Sequence, residues 1–323
     1  MTRRILVTGG AGFIGSNFAR HLLATDPGVL ITNLDLLTYA GVQATVDELD
    51  ADERHTFVHG DIADADLVND LVPGHDAVVN FAAESHVDRS IDSPAPFLHS
   101  NVLGAGVLLD AARRHGVPRF VQVSTDEVYG SLESGAAGES APLRPSSPYS
   151  ASKAAADLLA AAYATTFDYR PIVTRCTNNF GPYQHPEKAI PRFITALLDG
   201  EGIPVYGDGL HQRDWLFVED HCRALALLLD EGEPGEIYNI GADQHLTTLE
   251  LARRVCALVG VDDSMIEQVS DRPGHDRRYA VDSSRIRAIG WAPSADLGDH
   301  LTRTVEWYRS RRDWWEPLIG GTQ

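Results

Sequence analysis

The stretch "RILVTGGAGFIGSNFARHLLAT", residues 4–25, joins a short apolar run, a glycine-rich turn and an amphipathic helical pattern without interruption. Within it, Gly9, Gly12 and Gly15 have the spacing G-x-x-G-x-x-G. Glycine allows a tight turn with close backbone approach, and the N-terminus of the following helix offers N–H groups to a pyrophosphate. Glycine turns are also common as purely structural features, but the strand–turn–helix context favours a dinucleotide site here.

The same alternation of apolar runs and helical patterns continues through the first 130 residues. The runs that predict β-strands are "VLITNLD" (29–35), "HTFVHGDI" (55–62), "DAVVNFAA" (76–83) and "RFVQVST" (119–125). Strands that alternate with helices in this way predict an α/β fold with a doubly wound parallel (Rossmann) sheet.

Asp35 ends the second of these runs, 20 residues beyond Gly15. An acid at this point of a dinucleotide-binding fold hydrogen-bonds the ribose hydroxyls of the adenosine and repels a 2′-phosphate. The sequence therefore predicts NAD rather than NADP as the cofactor.

The pattern changes after residue 150, where amphipathic helices are separated by loops rich in proline and glycine. We expect a smaller, mixed C-terminal domain that binds the substrate and exchanges segments with the first domain. The predicted boundaries are 1–175 for the NAD-binding Rossmann domain, rejoined by about 212–240, and 176–211 with 241–323 for the substrate-binding domain.

Composition narrows the possible functions further. The 323 residues include 27 basic and 46 acidic ones, a formal net charge of −19, which argues against a nucleic-acid partner because such partners require a basic face. No apolar stretch approaches the ~20 residues that span a membrane, and the chain opens directly on the first run rather than on a secretory signal. The 3 scattered cysteines and 13 histidines match no metal-ligand spacing. We expect a cytoplasmic protein without a bound metal and without membrane contact.

Tyr149 and Lys153 lie four residues apart at the start of the helical pattern "SPYSASKAAADLL" (147–159), so both side chains share one face. A lysine ammonium beside a phenol favours the phenolate and is expected to lower the tyrosine pKa towards that of a useful base. Taken alone, this spacing is frequent by chance, and a surface tyrosine with a solvated lysine is its usual explanation. The dinucleotide-binding half that precedes it favours the catalytic interpretation.

A pair of acids, Asp126 and Glu127, follows Ser124 and Thr125 at the end of the run 119–125. Ionised carboxylates are costly to bury, so the pair indicates a function. Two close carboxyls tend to hold one another in different protonation states, which suits an elimination that needs an acid and a base on neighbouring carbons. Since adjacent residues of a strand point to opposite faces, both acids can reach one substrate only if the strand ends near Thr125.

The sequence resembles the extended short-chain dehydrogenase/reductase family over nearly its whole length. Within that family it is similar to the nucleotide-sugar 4,6-dehydratases, and the stretches that carry this similarity are "AAESHVDRSI" (82–91), "STDEVYG" (124–130), "PYSASKAAAD" (148–157), "TNNFGPYQHPEKAIPRF" (177–193), "RDWLFVEDH" (213–221) and "DRPGHDRRYAVD" (271–282). The resemblance implies an NAD-dependent lyase that removes water from dTDP-glucose in a redox-neutral cycle, for deoxysugar biosynthesis.

The resemblance also implies a role for each catalytic residue. Tyr149 would remove the proton of the C4 hydroxyl while a hydride leaves C4, with Lys153 holding the tyrosine and the ribose. Glu127 would then take the C5 proton, and Asp126 would protonate the departing C6 hydroxyl. Thr125 would hydrogen-bond the C4 oxygen, and the hydride would finally return to C6.

The cofactor contacts implied by the resemblance extend from the glycine turn to the ends of the later strands. They are Gly9, Gly12, Phe13, Ile14, Gly15, Asp35, Leu36, Thr38, Asp61, Ile62, Ala82, Ala83, Ser85, Ser124, Tyr149, Lys153 and Asn178. Asp61 has an alternative explanation as the N-cap of a helix predicted from "GDIADADL" (60–67).

The substrate contacts implied by the resemblance come mainly from the second half of the chain. They are Ser85, His86, Thr125, Asn179, Lys188, Ala189, Pro204, Tyr206, Arg213, Asn239, Arg272, His275 and Tyr279. Arg213 is the first candidate to bind the diphosphate, because a guanidinium can hold it bidentately. Tyr206 is either a partner of the thymine or a core aromatic, and His86 either lines the site or is structural.

Two features of this substrate side stay open. Some of Arg272, Arg277 and Arg278 are expected to contact the diphosphate, and the others to form salt bridges within the protein. Ala189 stands where members of the family commonly carry leucine, which could loosen one wall of the substrate pocket.

Alternative functions also stay open. A 4-epimerase, a UDP-glucuronate decarboxylase or a UDP-sugar 4,6-dehydratase would keep the glycines, Tyr149 and Lys153. An epimerase or decarboxylase has no need of Asp126 with Glu127, however, and the intact catalytic set disfavours a catalytically silent NAD-sensing protein. Overall similarity alone favours dTDP over UDP. The family further predicts a homodimer formed through helices of the cofactor domain.

Overall fold

The computed structural model describes residues 2–271 and 275–320, and a seven-stranded parallel sheet forms its centre. In the order of the sheet, the strands are β10 (Ile237–Ile240), β6 (Ile172–Cys176), β5 (Arg119–Thr125), β4 (Ala77–Asn80), β1 (Arg3–Thr8), β2 (Val29–Asp35) and β3 (His55–His59). The strand order reverses between β1 and β4, and open parallel sheets bind ligands at such a reversal, beyond the carboxyl ends of their strands.

Helices pack on both faces of this sheet because successive strand residues point to opposite sides. Ile5 and Val7 of β1 belong to one core, while Leu6 between them belongs to the other. The helices of this half are α1 (Phe13–Thr25), α2 (Gln43–Leu49), α3 (Ala65–Leu71), α4 (Val87–Asp92), α5 (Ala95–Phe97), α6 (Ala105–Arg114) and α7 (Pro148–Phe167). A π-helical segment, Leu98–Gly104, joins α5 to α6, and a 3₁₀ turn, Asp126–Tyr129, follows β5. The predicted doubly wound sheet is confirmed.

The start of α7 is fixed by a capping box. The Ser147 hydroxyl accepts from the Ser150 backbone N–H at 3.1 Å, and the Ser150 hydroxyl accepts from the Ser147 backbone N–H at 3.0 Å. Pro148 occupies the first helical position, where its missing N–H costs nothing. Tyr149 therefore lies in the first turn of α7, where the capping box fixes the backbone.

The remaining elements form a smaller, mixed layer. They are β7 (Asn178–Phe180), α8 (Ala189–Leu198), β8 (Ile203–Tyr206), β9 (Gln212–Phe217), α9 (Val218–Glu231), β11 (His245–Thr247), α10 (Thr248–Val259), a 3₁₀ turn (Asp263–Met265), β12 (Ile266–Val269), α11 (Ser284–Ala288), α12 (Leu297–Ser310) and α13 (Arg312–Gly320). Two small sheets, of order β11-β9-β7 and β12-β8, pair distant segments of this half. A separate core of aromatic and aliphatic side chains, including Tyr308, Trp314 and Trp315, supports it.

The chain returns to the large sheet through α9, which packs on α1, and through β10. Strand β9, which precedes α9, pairs within a small sheet instead. The division into two domains at the expected boundaries stays a prediction. Among the residues that the structure describes, no helix combines the length and the apolar character needed to cross a membrane.

Candidate active site

A cavity of about 310 Å³ opens at the carboxyl ends of the central strands, and we call it the cleft. Its size is typical of a small-molecule site. Every residue expected to bind the cofactor lines the cleft, and so do Thr125, Asp126 and Glu127. The fold thus gathers into one place residues that the sequence spreads from Gly9 to Asn178.

The glycine turn connects β1 to α1 at the edge of the cleft. Gly9 has a φ of +73°, and a Cβ atom on it would lie 2.6 Å from the Ala82 backbone nitrogen. A Cβ atom on Gly15 would lie 2.3 Å from the Gly9 carbonyl oxygen. Only glycine fits at these two positions, and the space they leave exposes the N-terminus of α1 to a ligand phosphate.

Replacing Gly9 by alanine is expected to lower the free energy of unfolding by about 3 kcal/mol and to release NAD, because a strained φ and a backbone clash combine. Gly116→Ala is the matched control: Gly116 also has positive φ, at +66°, but a Cβ there would meet nothing within 4 Å. Gly116→Ala should lower the free energy of unfolding by only about 1 kcal/mol, and this variant should retain the cofactor. Denaturant unfolding and the NAD content of purified protein measure both effects. Equal losses in the two variants would contradict a special role for the turn.

Asp35 ends β2 and ties the glycine turn to the next loop. Its two carboxylate oxygens accept from the Ala11 N–H at 2.9 Å and the Leu37 N–H at 2.8 Å. Burial raises the pKa of Asp35, and these two hydrogen bonds oppose the shift. The remaining lone pairs of the carboxylate can accept the ribose hydroxyls.

Asp61 is not the N-cap residue that the alternative explanation required. The N-cap of α3 is Asp64, whose side chain accepts from the Asp66 and Leu67 N–H groups. Asp61 accepts from the Ala63 N–H at 2.8 Å, and its other oxygen lies 2.8 Å from His99 Nε2. Asp61 lines the cleft, so its position agrees with the cofactor assignment rather than with capping.

Asp126 and Glu127 could reach one substrate only if the strand before them ended near Thr125, and the structure meets this condition. Strand β5 ends at Thr125, and the chain turns at once into the 3₁₀ turn, where the Thr125 hydroxyl accepts from the Glu127 N–H at 3.2 Å. Asp126 and Glu127 both line the cleft as a result. They do not point to opposite faces of the sheet.

The two acids have different surroundings. Asp126 is buried and Glu127 is only partly so. Asp126 Oδ1 accepts from the Thr125 hydroxyl at 3.3 Å, while its Oδ2 is buried without a partner among the described residues. Burial, reinforced by the charge of Glu127, raises the pKa of Asp126 well above its usual value, which favours the protonated form of this acid.

Tyr149 and Lys153 are both buried on α7 beside the acids. Lys153 Nζ donates to the Val123 carbonyl oxygen at 2.6 Å. Burial, and then the charge of Glu127, raises the pKa of Tyr149 well above that of a free phenol. The expectation that Lys153 lowers this pKa is therefore wrong for the chain by itself, since enclosure and neighbouring acids dominate.

Ser85, Asn179 and Lys188 line the cleft on the expected substrate side. Asn179 Oδ1 lies 2.9 Å from His221 Nδ1, and Lys188 Nζ donates to the Ser85 carbonyl oxygen at 3.2 Å. Burial lowers the pKa of Lys188. These contacts fix the side chains of Asn179 and Lys188 in the cleft.

The other expected substrate residues lie outside the lining of the cleft, namely His86, Ala189, Pro204, Tyr206, Arg213, Asn239, His275 and Tyr279. Arg272 lies outside the described residues. Arg213 has its guanidinium 4.4 Å from the centre of the Tyr279 ring, and its hydrogen bonds go to the Gln212 and Asp276 carbonyls. The positive charge of Arg213 opposes the rise in the pKa of Asp126, so Arg213 lies close enough to act on that carboxyl.

The structure shows the surroundings of three of these residues. Asn239 is fully buried, and its side-chain amide bonds to Tyr129, Ala137 and Asp282, so it belongs to the scaffold. Ala189 is exposed at the start of α8 and forms no wall of the cleft. His86 precedes α4, with its Nε2 3.8 Å from the Glu187 carboxylate, which favours the structural alternative.

Arg277 and Arg278 also serve the scaffold. Arg277 forms a two-pronged pair with Asp208, with N–O distances of 2.7 and 2.9 Å. Arg278 donates to the Gln212 side chain at 3.0 Å and to the Gly135 carbonyl at 2.7 Å.

Nearby, His211, Asp271 and His275 bring three potential metal-ligand atoms within 4.8 Å of one another. The two imidazoles stack with centroids 3.7 Å apart, and Asp271 lies 2.7 Å from His275 and 3.4 Å from His211. The sixty-residue separation of His211 from Asp271 hides this grouping in the sequence. The absence of a bound metal stays a prediction.

Some residues of the cleft were not expected from the sequence: Leu34, Ala40, Gly41, Gly60, Phe81, Glu84, Ser100, Val123, Cys176, Thr177, Gln184 and His185. Glu84, Thr177 and His185 stand inside stretches that carry the family resemblance, and that context could have identified them. Ser100 comes from the π-helical segment, for which the sequence has no signal.

Comparisons with known proteins agree with this geometry. The sequence model of the family described as GDP-mannose 4,6 dehydratase matches residues 6–304. Over 320 residues, the chain is 53% identical to the dTDP-glucose 4,6-dehydratase of Streptomyces niveus, covering 98% of this chain and 95% of the relative.

Solved structures give the same result. The crystal structure of DesIV, a dTDP-glucose 4,6-dehydratase from Streptomyces venezuelae with NAD and a second ligand bound, is 53% identical, with a TM-score of 0.95 and coverage of 98% of this chain and 99% of that one. The dTDP-glucose 4,6-dehydratase of Bacillus anthracis in complex with NAD is 43% identical, with a TM-score of 0.92 and coverage of 98% and 100%.

Proposed function

The chain belongs to the family described as GDP-mannose 4,6 dehydratase, and on that premise we propose that it acts as a dTDP-glucose 4,6-dehydratase. It is an NAD-dependent enzyme that converts dTDP-glucose to dTDP-4-keto-6-deoxyglucose and water. The observation that carries the proposal is the placement of Asp126 and Glu127 together in the cleft, beside Tyr149 and Lys153. An enzyme that only oxidises and re-reduces C4 has no use for such a pair.

The residues of the cleft fit NAD. The glycine turn leaves a space beside the backbone that a Cβ atom would fill. Asp35 can accept hydrogen bonds from the hydroxyls of the adenosine ribose. Asn178 Oδ1, from a residue of the cleft, is buried without a hydrogen-bond partner among the described residues. NAD⁺, when bound, supplies the hydride acceptor for C4 and afterwards the hydride donor for C6. Its positive charge would also favour the Tyr149 phenolate.

The side chains then divide the proton transfers. Tyr149 takes the proton of the C4 hydroxyl, and Lys153 holds the phenolate and the ribose. The resulting ketone acidifies C5, so that Glu127 can take the C5 proton while protonated Asp126 gives its proton to the leaving C6 hydroxyl. Glu127 returns its proton to C5 as C6 is reduced. Tyr149 then holds one proton more and Asp126 one proton fewer than at the start, and loss of the first to solvent with uptake of the second from solvent restores both residues.

Arg213 is our candidate for the substrate diphosphate. Its present hydrogen-bond acceptors are backbone carbonyls, which leave the cationic charge available to an anion. Its charge also acts on Asp126, which supports this assignment. The Tyr279 ring lies against Arg213, and Tyr206 lies edge-on to His275. We assign Tyr279, Tyr206 and His275 to the nucleotide side.

The function is tested by incubating purified protein with dTDP-glucose and, in parallel, with UDP-glucose. A 4-keto-6-deoxy sugar is detected by its alkali-induced absorbance, and we expect it to form faster from the dTDP-sugar. Formation of the C4 epimer would instead identify an epimerase. No conversion of either sugar, with NAD still bound, would favour a sensing protein.

We further propose that the chain forms a homodimer through α7 and the π-helical segment packed beside it. These two elements expose Leu98, Leu103 and Leu158 by 57%, 53% and 62%, and such apolar surface favours association. We also place the protein in the cytoplasm, where its three free, buried cysteines would stay reduced.

Leu158→Glu is expected to shift the mass measured by light scattering at micromolar concentration from dimer to monomer, because a charge would be buried in the apolar contact. Leu210→Glu is the control, since Leu210 is 50% exposed in the loop between β8 and β9. A dimer that survives Leu158→Glu would place the contact elsewhere.

A further inference from the structure

A buried ion pair lies behind the proposed catalytic helix without lining the cleft. Asp157 follows Lys153 by one turn of α7, and its Oδ2 accepts from Arg175 Nε on β6 at 2.9 Å. The side chains of Arg175 and Asp157 are only 4% and 2% exposed. Buried pairs contribute little net stability, because desolvation offsets their attraction, so stability alone does not explain this one.

Neutral groups hold the guanidinium in place on its other side. Arg175 Nη1 donates to the Tyr129 hydroxyl at 2.8 Å and to the Glu139 carbonyl oxygen at 3.2 Å. The Tyr129 hydroxyl donates onward to Asn239 Oδ1 at 2.8 Å. The charge that balances Arg175 directly is therefore that of Asp157.

The other oxygen of Asp157 is not used by this network. Oδ1 is also buried, and an interaction with the Ser124 hydroxyl favours the ionised form of the Asp157 carboxyl. Side chains four residues apart on a helix are neighbours, with Cβ atoms ~6 Å apart. Burial lowers the pKa of Lys153, and attraction to Asp157 opposes that shift. Asp157 thus acts on the lysine as well as on Arg175.

We propose that Asp157 is a positioning residue: paired with Arg175, it sets the electrostatic potential at Lys153 and Tyr149 and keeps them in the protonation states that hydride transfer needs. This inference rests on the proposed function, because it works through the two residues that begin that reaction. The other titratable groups facing them are Cys176 on β6 and, near Tyr149, Asp126 and Glu127 after β5.

Asp157→Asn removes the negative charge one turn from Lys153 and leaves the charge of Arg175 unopposed. A positive charge favours the phenolate of Tyr149 and the neutral amine of Lys153, so both pKa values fall. One charge at ~6 Å from Lys153 and ~12 Å from Tyr149, two helical turns away, changes the two pKa values by roughly two units and one unit at an effective dielectric constant of about 20. Both limbs of the bell-shaped pH dependence of kcat should therefore move to lower pH by these amounts.

The matched controls separate charge from packing. Asp157→Asn combined with Arg175→Gln removes both charges and should return the profile towards that of the wild type. Asp110→Asn removes a partly exposed acid, paired with Arg113 on α6, and should leave the profile unchanged. If Asp157→Asn fails to fold, Arg175→Gln alone carries the test, because its loss of positive charge should move both limbs to higher pH.

The keto-sugar assay, run across pH on variants that retain NAD, gives the readout. An active wild-type enzyme whose profile is unmoved by Asp157→Asn would overturn this proposal alone. An equal shift in the charge-neutral double variant would also overturn it, since packing would then be the cause. A wild-type protein that forms no keto-sugar at any pH would overturn the proposed function, and this proposal with it.

Discussion

Replacing Glu127 by glutamine is expected to slow keto-sugar formation at least a hundredfold, within the range of about 10²–10⁴ typical of a lost general base, while NAD stays bound. An amide of the same size cannot remove the C5 proton. Oxidation at C4 precedes that step and does not need Glu127, so reduced nicotinamide should accumulate after dTDP-glucose is added. Rapid-mixing absorbance of the nicotinamide and the keto-sugar assay measure the two halves of the reaction separately.

Glu133→Gln provides the control for this experiment, because Glu133 is an exposed acid in the loop just beyond the 3₁₀ turn. It should turn over at the wild-type rate. Fast product formation by Glu127→Gln would contradict the assignment of Glu127 as the base. Loss of NAD from that variant would show that Glu127 supports the cofactor instead.

Tyr149→Phe is expected to stop the reaction one step earlier. With no phenolate to take the C4 hydroxyl proton, neither reduced nicotinamide nor keto-sugar should form, and the rate should fall about a thousandfold. The variant keeps the buried ring and its edge-on contact with Phe97, whose ring centroid lies 6.3 Å away. The same two optical assays therefore distinguish it from Glu127→Gln.

Tyr163→Phe removes a hydroxyl from the same helix, α7, at a partly exposed position and should leave the rate unchanged. Reduced nicotinamide appearing in Tyr149→Phe at the wild-type rate would show that another group starts the reaction. Unfolding of Tyr149→Phe is not expected, because the residue loses no packing volume.

Part of the cofactor side could be predicted from local signals in the sequence, namely the glycine turn and Asp35. The other cofactor positions came from the resemblance to the family, and the parallel sheet brings the ends of its strands to one edge, where these residues line the cleft. The two local signals are a turn that excludes any Cβ atom, at Gly9, and an acid that closes a strand, Asp35. The comparisons confirm the predicted family, the Rossmann sheet and NAD.

The substrate side depends on contacts between distant segments, so its residues were assigned only from the family resemblance. Asn239 is one of them, and β10 carries it into a network with Tyr129 and Asp282. His211 and Asp271 meet only because β8 and β12 pair across the chain. No local pattern encodes such contacts, so the substrate roles of Arg213, His275 and Tyr279 stay predictions.

The pKa of Tyr149 illustrates a different limit. A lysine four residues away on one helix face is visible in the sequence, but the degree of burial and the approach of Glu127 are not. Burial and that charge outweigh the lysine in the folded chain. Sequence patterns thus locate titratable groups more reliably than they predict the protonation of those groups.

The central claim is that one hydride leaves C4 and returns to C6 of the same sugar. It is tested most directly with dTDP-glucose carrying deuterium at C4, incubated with the protein without added reduced cofactor. Nuclear magnetic resonance and mass spectrometry of the product should find the deuterium in the new C6 methyl group. Deuterium found again at C4, or lost to an unlabelled methyl group, would contradict the claim.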